Sequence, residues 1–364
     1  MDVLAGLSRF KLGVLISVCL WSLYFWGILQ PVFTFAPLLA AIPTVTFLSE
    51  VIRRIIEYHL GKRTVAIGND AVLITGCDTG FGYLLSKRLA DKGYTVFAGC
   101  YVDNGAGAAE LREYSSRIQV LNMDVRSDDA VKKARLLVEE KLAGQGLWAV
   151  VANAGIANHG PLEWTSMEEI HSIFDVNTYG VLRTVKEFLP LVRKRKGRIV
   201  VTTSMLATLP NPLVIPYSMS KAAVRSLVDG LQRELRGFGV YCSSIEPNYY
   251  KTSIVENRSM EDYHKKFAAL DENLKAEYEG FMDTCRNYLD GVNSFIMSDK
   301  IEEPLNAFEH AVCSVRPRPY YLVDSPILSF GRELLKHLNV EVLDAVVCSS
   351  QYLGGLKRRI CPKK

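Results

Sequence analysis

The chain has 364 residues, of which 49% are hydrophobic and 23% are charged. These values are typical of a globular protein with one large domain and additions, or with two small domains. The net charge of +4 is too small to indicate a nucleic-acid partner. The eight cysteines form no CxxC pair and no metal-ligand spacing with histidine, so we predict free thiols in a reducing compartment and no bound metal.

An uncharged stretch of 38 residues, from 12 to 49, lies near the start of the chain. One straight helix of that length would measure about 57 Å, against roughly 30 Å for a bilayer core. Gln30-Pro31 lies near the middle, where proline breaks a helix. We therefore predict an N-terminal hydrophobic membrane hairpin of two helices, roughly 12–29 and 32–49. Basic residues on both flanks place both ends in the cytosol, and the stretch is too long for a signal peptide.

Short apolar strands then alternate with amphipathic helices up to residue 245. This alternation predicts an α/β fold, a Rossmann-like doubly wound parallel sheet with helices on both faces. We predict three parts: the membrane anchor and connector at 1–60, the α/β domain at 68–325, and a tail at 326–364 that associates with the membrane or packs on the domain. The predicted strands cover 71–75, 94–98, 118–121, 148–151, 198–202 and 240–245. The predicted helices cover 80–92, 105–116, 127–143, 166–195 and 216–237, and the segment 255–310 is helical and charged.

A glycine-rich segment follows the first predicted strand and opens the first helix of the domain. Glycine permits a tight turn there and lets the backbone approach a pyrophosphate, while the helix N-terminus offers N–H groups to the phosphates. Its position in a βαβ unit favours a dinucleotide site over a tight turn without a ligand. The candidate cofactor-binding residues of this segment are Gly76, Asp78, Thr79, Gly80, Phe81 and Gly82.

Five motifs together resemble the short-chain dehydrogenase/reductase family, over residues 70 to about 255. They are TGxxxGxG at 75–82, Asn153-Ala154-Gly155 after the fourth strand, Asn177 in the next helix, Ser204 at the end of the fifth strand, and Tyr217 with Lys221 as YxxxK. The stretches TGCDTGFG, FLPLVRKRKGRIV and TSMLATLPNP resemble one branch of it. That branch contains 17β-hydroxysteroid dehydrogenase type 2, the microsomal retinol dehydrogenases and 3-hydroxybutyrate dehydrogenase.

Tyr217 and Lys221 are four residues apart on a predicted helix, so their side chains share a face. The tyrosine pKa is ordinarily about 10, and a nearby ammonium lowers it by stabilising the phenolate. Tyr217 is thus the predicted general acid/base, which removes the alcohol proton as hydride leaves for the nicotinamide. The resemblance implies that Lys221 also holds the nicotinamide ribose, that Ser204 stabilises charge at the substrate oxygen, and that Asn177 holds a water in the proton relay.

The resemblance implies further cofactor contacts. Asp124 matches the residue that contacts adenine, Asn153, Ala154 and Gly155 match the turn beside the cofactor, and Thr252 matches the threonine that holds the carboxamide. The sequence departs from the family pattern at Glu246-Pro247-Asn248, where proline-glycine is usual. Because asparagine tolerates left-handed backbone better than most residues, we expect the turn to persist.

NAD is predicted in preference to NADP. A 2′-phosphate requires Arg or Lys at the end of the second strand or in the glycine loop, and the sequence places neither there. The loop instead carries Asp78, which would repel a phosphate. The usual ribose-binding carboxylate is also absent at Cys100, although Asp103 follows shortly after it.

The sequence therefore predicts an NAD-dependent oxidoreductase that interconverts a lipophilic alcohol, of the steroid or retinoid class, and its carbonyl. The first alternative is a 3-hydroxybutyrate-type hydroxy acid dehydrogenase, with Lys251 as the candidate cation for the carboxylate. The second is a non-catalytic dehydrogenase-like scaffold, which the presence of both Tyr217 and Lys221 disfavours. His159 is a candidate for the mouth of the substrate pocket.

The predicted location is the endoplasmic reticulum membrane with a cytosolic catalytic domain, and the alternative is a mitochondrial membrane. The predicted partners are a small lipophilic substrate and the lipid bilayer, with no nucleic acid. Helices at 170–192 and 216–237 resemble those that the family uses for dimers, which suggests a homodimer. Asn257-Arg258-Ser259 is a glycosylation sequon, which stays unmodified if the domain is cytosolic.

Overall fold

The computed structural model divides the chain into two compact units, Met1–Lys62 and Arg63–Lys364. It describes Ser22 and residues 63–252, 254, 260–291, 297–324, 339 and 341–342. The predicted hairpin at 12–49, apart from Ser22, and most of the predicted tail at 326–364 lie outside the described residues. Among the described residues, no helix has the length and apolar character needed to cross a membrane.

Seven strands form a single sheet in the described part of the second unit. Six of them match the predicted strands, two with the same ends and four with ends shifted by at most two residues, and every neighbouring pair is parallel. The strands are β1 (Ala71–Thr75), β2 (Thr95–Cys100), β3 (Ile118–Asn122), β4 (Ala149–Ala152), β5 (Arg198–Thr202), β6 (Tyr241–Pro247) and β7 (Tyr320–Val323). Their order is β3-β2-β1-β4-β5-β6-β7, so the predicted Rossmann-like parallel sheet is confirmed.

The strand β7 was not predicted from the sequence. This strand has only four residues, and its burial alternates between half-buried and buried positions. Its sequence, Tyr320-Tyr321-Leu322-Val323, is a hydrophobic run at the lower limit of the length by which buried strands are recognised. It pairs with β6 at the edge of the sheet.

Helices cover both faces of the sheet. The described helices are α1 (Gly80–Asp91), α2 (Ala106–Tyr114), α3 (Asp128–Leu142), α4 (Met167–Phe174), α5 (Val181–Arg195), α6 (Ile215–Leu235), α7 (Met260–Ala268), α8 (Glu272–Glu277), α9 (Phe281–Gly291) and α10 (Glu302–Cys313). Alternate strand residues enter two separate core clusters: Leu73 and Val150 pack with α3, α5 and α6, whereas Val72 and Val151 pack with α1, α2 and α10.

The prediction of one helix over 166–195 needs a correction. The helical path contains a π-helical turn, Asp175–Gly180, between α4 and α5. Gly180 in this turn packs closely against Val125, since a Cβ on Gly180 would lie only 2.7 Å from Cγ2 of Val125. Such turns are frequent at functional sites, and this one carries Asn177.

Two further segments complete the described unit. The backbone at its start is tied to the end of α10, since Val65 N donates to the Cys313 carbonyl and Val315 N donates to that of Arg63, both at 2.8 Å. The helices α7 and α9 pack in a third apolar cluster around Trp164, which lies in the segment after β4. The predicted helical character of 255–310 is confirmed for 260–268, 272–277, 281–291 and 302–310, whereas Ser298 makes an isolated bridge with Tyr250.

Candidate active site

A cleft of about 450 Å³ opens at the carboxyl ends of the strands. Ligands of open α/β sheets bind at this edge. The cleft is lined by thirteen of the predicted site residues: Gly76, Asp78, Thr79, Gly80, Phe81, Asp124, Asn153, Ala154, Gly155, Ser204, Tyr217, Lys221 and Thr252. The other two, Gly82 and Asn177, are buried behind its wall.

Glycine is required at three positions near the start of α1, either by a positive φ angle or by close backbone packing. Gly76 and Gly80 have φ angles of +69° and +64°, which L side chains rarely adopt. A Cβ on Gly76 would lie 2.7 Å from Cα of Ala154, and one on Gly82 would lie 2.3 Å from the Gly76 carbonyl oxygen. This cradle, with the N-terminus of α1 beside it, fits the pyrophosphate of a dinucleotide.

Asp78 has a second function in the structure. Its carboxylate accepts hydrogen bonds from the backbone N–H groups of Tyr101 (3.1 Å) and Val102 (2.8 Å). Asp78 therefore fixes the segment after β2 against the glycine loop, in addition to lining the cleft.

Asn153 joins the ends of three strands. Its Nδ2 donates to the carbonyls of Thr75 (3.0 Å) and Gly76 (3.2 Å), and its Oδ1 accepts from the Thr202 hydroxyl (3.1 Å). The side chain thus holds the floor of the cleft together, and Ala154 and Gly155 after it complete the wall.

The three predicted catalytic side chains at the cleft surface come from β5 and α6. Ser204 follows β5, and its Oγ accepts from the N–H of Leu206 (3.2 Å), which leaves the hydroxyl proton for a ligand. Lys221 Nζ lies 5.8 Å from the centre of the Tyr217 ring and donates to the Thr202 carbonyl (2.8 Å). Burial lowers the pKa of Lys221 to about 8, so the ammonium form predominates at neutral pH.

Asn177 lies in the π-helical turn and is fully buried. Its Oδ1 accepts from Ile156 N (2.8 Å), and its Nδ2 donates to the Ile156 carbonyl (2.9 Å) and to Ser220 Oγ (3.0 Å). A Cβ built on Gly155 would be 3.3 Å from Asn177 Oδ1 and 3.4 Å from Lys221 Nζ. Asn177 is thus placed beside Lys221, behind the cleft wall.

The turn after β6 differs from the expectation for Asn248. Among the described non-glycine residues, positive φ angles occur only at Ala143, Lys196 and Leu213, so Asn248 is not left-handed. Asn248 instead donates from its backbone N to the Val323 carbonyl (3.1 Å) and from Nδ2 to Asp324 Oδ2 (3.0 Å). The contact with β7, which the sequence analysis did not foresee, holds this turn.

Two candidate residues for substrate binding lie elsewhere. Lys251 is exposed, and neither it nor His159 is among the residues that line the cleft. His159 instead accepts a hydrogen bond at its carbonyl from Lys266 Nζ (2.9 Å). Sequence proximity to the motifs therefore did not bring either side chain to the site.

The chain matches the family model for short chain dehydrogenases over residues 70–262. It belongs to the short-chain dehydrogenase family. The mitochondrial D-beta-hydroxybutyrate dehydrogenase of Rattus norvegicus is 36% identical over 266 residues, which cover 70% of this chain and 77% of the relative. Estradiol 17-beta-dehydrogenase 2 of Rattus norvegicus is 36% identical over 70% of this chain and 68% of its own length. Retinol dehydrogenase 7 of Rattus norvegicus is 35% identical over 69% and 79%, respectively.

Solved structures show the same fold. A short chain dehydrogenase/reductase from Burkholderia phymatum in complex with NAD has a TM-score of 0.61 at 23% identity, covering 75% of this chain and 95% of that chain. The predicted family and branch are confirmed by these relatives. The chain is therefore an oxidoreductase that acts on CH–OH groups.

As a short-chain dehydrogenase, the protein needs a surface for substrate beside the catalytic side chains, and the sequence analysis did not identify one. Four mostly apolar residues line the cleft and pack in one cluster with Tyr217: Met205, Leu206, Tyr249 and Ile254. No motif marks these positions, because their side chains meet only through the fold. The sequence signal was limited to their closeness to Ser204 and Thr252.

The opposite end of the cleft, beside β2 and β3, also differs from expectation. The sequence analysis placed no cation there, but Arg126 lines the cleft together with Asp124 and Tyr101. Hydrogen bonds from Arg126 hold the pKa of Asp124 below its usual range. Asp103, the late candidate for a ribose-binding carboxylate, is not among the lining residues.

Proposed function

We propose that this short-chain dehydrogenase uses NAD(H) to interconvert a lipophilic alcohol, of the steroid or retinoid class, and its carbonyl. The observation that carries this proposal is the juxtaposition of Ser204, Tyr217 and Lys221 with an apolar wall in one cleft. Estradiol and retinol are the substrates in the names of two relatives that are 36% and 35% identical.

The residues of the cleft can be assigned separate roles in cofactor binding and catalysis. The cradle of Gly76, Gly80 and Gly82 fits the pyrophosphate, and a bound nicotinamide would supply the hydride acceptor. The buried Lys221 ammonium would stabilise Tyr217 as a phenolate, and its Oη would then take the proton of the alcohol. Ser204 would donate a hydrogen bond to the substrate oxygen. Asn177 holds the backbone of Ile156 beside Lys221, and we retain it as the residue that positions a relay water.

Charge at the adenosine end supports NAD as the cofactor. Asp78 and Asp124 both line this part of the cleft, and carboxylates repel the 2′-phosphate of NADP. Asp124 would contact adenine and Thr252 the carboxamide, as the family resemblance implies. A solved fold relative was determined in complex with NAD.

A 3-hydroxy acid remains the second candidate substrate, because a D-beta-hydroxybutyrate dehydrogenase is 36% identical. Such a substrate requires a cation for its carboxylate. Among the described residues that line the cleft, the cations are Lys221 and Arg126. Lys221 belongs to the catalytic group and Arg126 lies at the adenosine end, so the described substrate wall offers no dedicated partner for a carboxylate.

We further propose that residues 1–60 anchor a catalytic domain at 68–325 to the endoplasmic reticulum membrane by a two-helix hairpin, with 326–364 as a membrane-associated tail. An anchor of this kind would hold the cleft beside a bilayer in which lipophilic alcohols dissolve. A homodimer would use the helices at 170–192 and 216–237, which carry the exposed side chains Tyr179, Leu182 and Met219.

The test is NAD⁺ reduction by membranes that contain the full-length protein, with estradiol, retinol and 3-hydroxybutyrate assayed in parallel. We expect turnover of a lipophilic alcohol and none in membranes with a Ser204→Ala variant of equal abundance. Turnover of 3-hydroxybutyrate alone would show that the substrate is a hydroxy acid and not a lipophilic alcohol. NADH binding without turnover of any alcohol or ketone would support the scaffold alternative instead.

A further inference from the structure

The adenosine end of the cleft contains a cation whose charge is already matched by a carboxylate. Arg126 Nε donates to Asp124 Oδ1 (3.0 Å), and Arg126 Nη2 donates to Asp124 Oδ2 (2.8 Å). This two-point contact fixes the plane of the guanidinium as well as its position. The guanidinium carbon also lies 5.0 Å from the centre of the Tyr101 ring, which is 58% exposed.

The electrostatic balance of this region is unfavourable for a phosphate. Asp78 is the other charged group on this part of the wall, and its carboxylate already accepts the N–H groups of Tyr101 and Val102. Two carboxylates and one guanidinium leave one net negative charge. Within the described lining of the cleft, Lys221 is the remaining cation, and its Nζ donates to the Thr202 carbonyl at the end of β5.

We propose that Asp124 sets the choice between NAD and NADP by holding Arg126 against Tyr101, and that Arg126 is a latent 2′-phosphate-binding residue. This inference rests on the proposed nicotinamide-dependent function. A 2′-phosphate must compete with Asp124 for the guanidinium and must enter a negatively charged corner of the cleft. The 2′-hydroxyl of NAD is uncharged, so it neither has to displace Asp124 from the guanidinium nor is repelled by the negative charge.

The sequence could not show this arrangement, because Arg126 follows β3 whereas a phosphate-binding cation is expected at the end of β2. The parallel pairing of β2 with β3 brings the two strand ends together, with Cys100 opposite Asn122. Arg126 therefore reaches the Tyr101 ring from the neighbouring strand. The lowered pKa of Asp124 keeps the ion pair fully charged at neutral pH.

The experiment compares NADH and NADPH affinities of the detergent-solubilised full-length protein by energy transfer from tryptophan to the bound nicotinamide. Four variants are needed: Asp124→Asn, Arg126→Met, the double variant, and Arg112→Met as the matched control. Arg112 is an exposed cation on α2, which follows β2, and it is not among the described residues of the cleft wall. The readout is the ratio of the two affinities, because Asp124→Asn can also weaken adenine binding in both cofactors.

We expect the wild-type protein to prefer NADH, and we expect Asp124→Asn to raise the NADPH/NADH affinity ratio roughly tenfold. The double variant should lose that gain, the Arg112→Met ratio should equal the wild-type ratio, and the gain should shrink as salt rises because an ion pair is screened. A ratio that Asp124→Asn leaves unchanged, or a gain that survives in the double variant, would overturn the inference. Failure of the wild type to bind either cofactor would overturn the proposed function and this inference with it.

Discussion

Lys221 is a cation that the fold buries almost completely, with 2% of its surface exposed. Desolvation disfavours the charged form and lowers the pKa to about 8. The folded state therefore carries a cost at neutral pH that the unfolded state, with an ordinary lysine pKa near 10.4, does not carry. The catalytic arrangement would explain why such a residue is retained.

This cost predicts the pH dependence of stability. Below pH 8 Lys221 is protonated in both the folded and the unfolded state, and its desolvation penalty is fully present. Between pH 8 and about 10 it stays protonated only in the unfolded state. The penalty is therefore relieved, and stability rises, as pH rises through this range. We expect cofactor-free Lys221→Met to be about 1–3 kcal/mol more stable than wild type at pH 7, with the difference shrinking towards pH 10. Urea unfolding of both proteins at several pH values measures this, and a pH-independent difference would contradict it.

Two glycines of the cradle allow a second comparison at the residue scale. Alanine at Gly80 meets only side-chain carbons at 3.7 Å, although the positive φ is strained, and we expect a cost of about 1–2 kcal/mol. Alanine at Gly82 would meet a carbonyl oxygen at 2.3 Å, and we expect about 3 kcal/mol or more, because backbone must move. Thermal unfolding and NADH affinity should both rank Gly82→Ala as the more damaging change. Equal effects would argue against the tight cradle.

Most of the candidate site could be predicted at this scale from motif spacing. Thirteen of the predicted residues line one cleft, because the carboxyl ends of parallel strands meet at one edge of a sheet. Arg126 and the apolar wall could not be found in the same way. Their positions depend on which strands are neighbours and how loops pack, and neither follows from local spacing.

The helix α6 is attached to the sheet, one turn beyond Lys221, by an ion pair between the partly exposed Arg225 and a buried carboxylate. Arg225 Nε donates to Glu246 Oε1 (2.9 Å), and Glu246 on β6 is fully buried. Arg225 also lies over the ring of Tyr320 on β7, at 4.8 Å from the ring centre. This contact fixes the helix that presents Tyr217 relative to the strand that precedes the Pro247-Asn248 turn.

Removal of one partner should therefore be much more damaging than removal of both. We expect Arg225→Met to destabilise the protein by about 3–5 kcal/mol, because Glu246 would be left buried and unpaired. Arg225→Met with Glu246→Leu should recover at least half of that loss in urea unfolding. Lys265→Met, which breaks the exposed Lys265–Glu261 pair, is the matched control and should change stability by less than about 1 kcal/mol. A double variant as unstable as the single one would refute this account.

The helices and strands with a clear hydrophobic pattern could be predicted from the sequence. The strand Ala71–Thr75 is apolar throughout and was found with its ends correct. The π-helical turn at Asp175–Gly180 was not predicted, because its sequence continues the helical pattern on both sides of it. β7 was missed for the complementary reason that its pattern is too short.

At the scale of the whole molecule, the proposed topology places the catalytic domain on the cytosolic side of the membrane. The sequon Asn257-Arg258-Ser259 reports on this side directly, since N-linked glycosylation occurs only in the lumen. In cells that express the full chain, we expect the protein to resist alkaline extraction from membranes and to show no mobility shift on glycosidase treatment. A glycosidase-sensitive Asn257, abolished by Asn257→Gln, would reverse the proposed orientation.

Tyr217 is proposed to move the proton in a nicotinamide-linked alcohol oxidation, and removal of its hydroxyl alone tests this role. The rate of NADH formation with a turned-over lipophilic alcohol is compared between wild type, Tyr217→Phe, and Tyr241→Phe as a control that removes an exposed tyrosine hydroxyl at the opposite edge of the sheet. We expect Tyr217→Phe to lose about 10²–10⁴-fold in kcat while NADH affinity stays within a few-fold and Tyr241→Phe keeps the wild-type rate. Wild-type turnover by Tyr217→Phe would contradict the account.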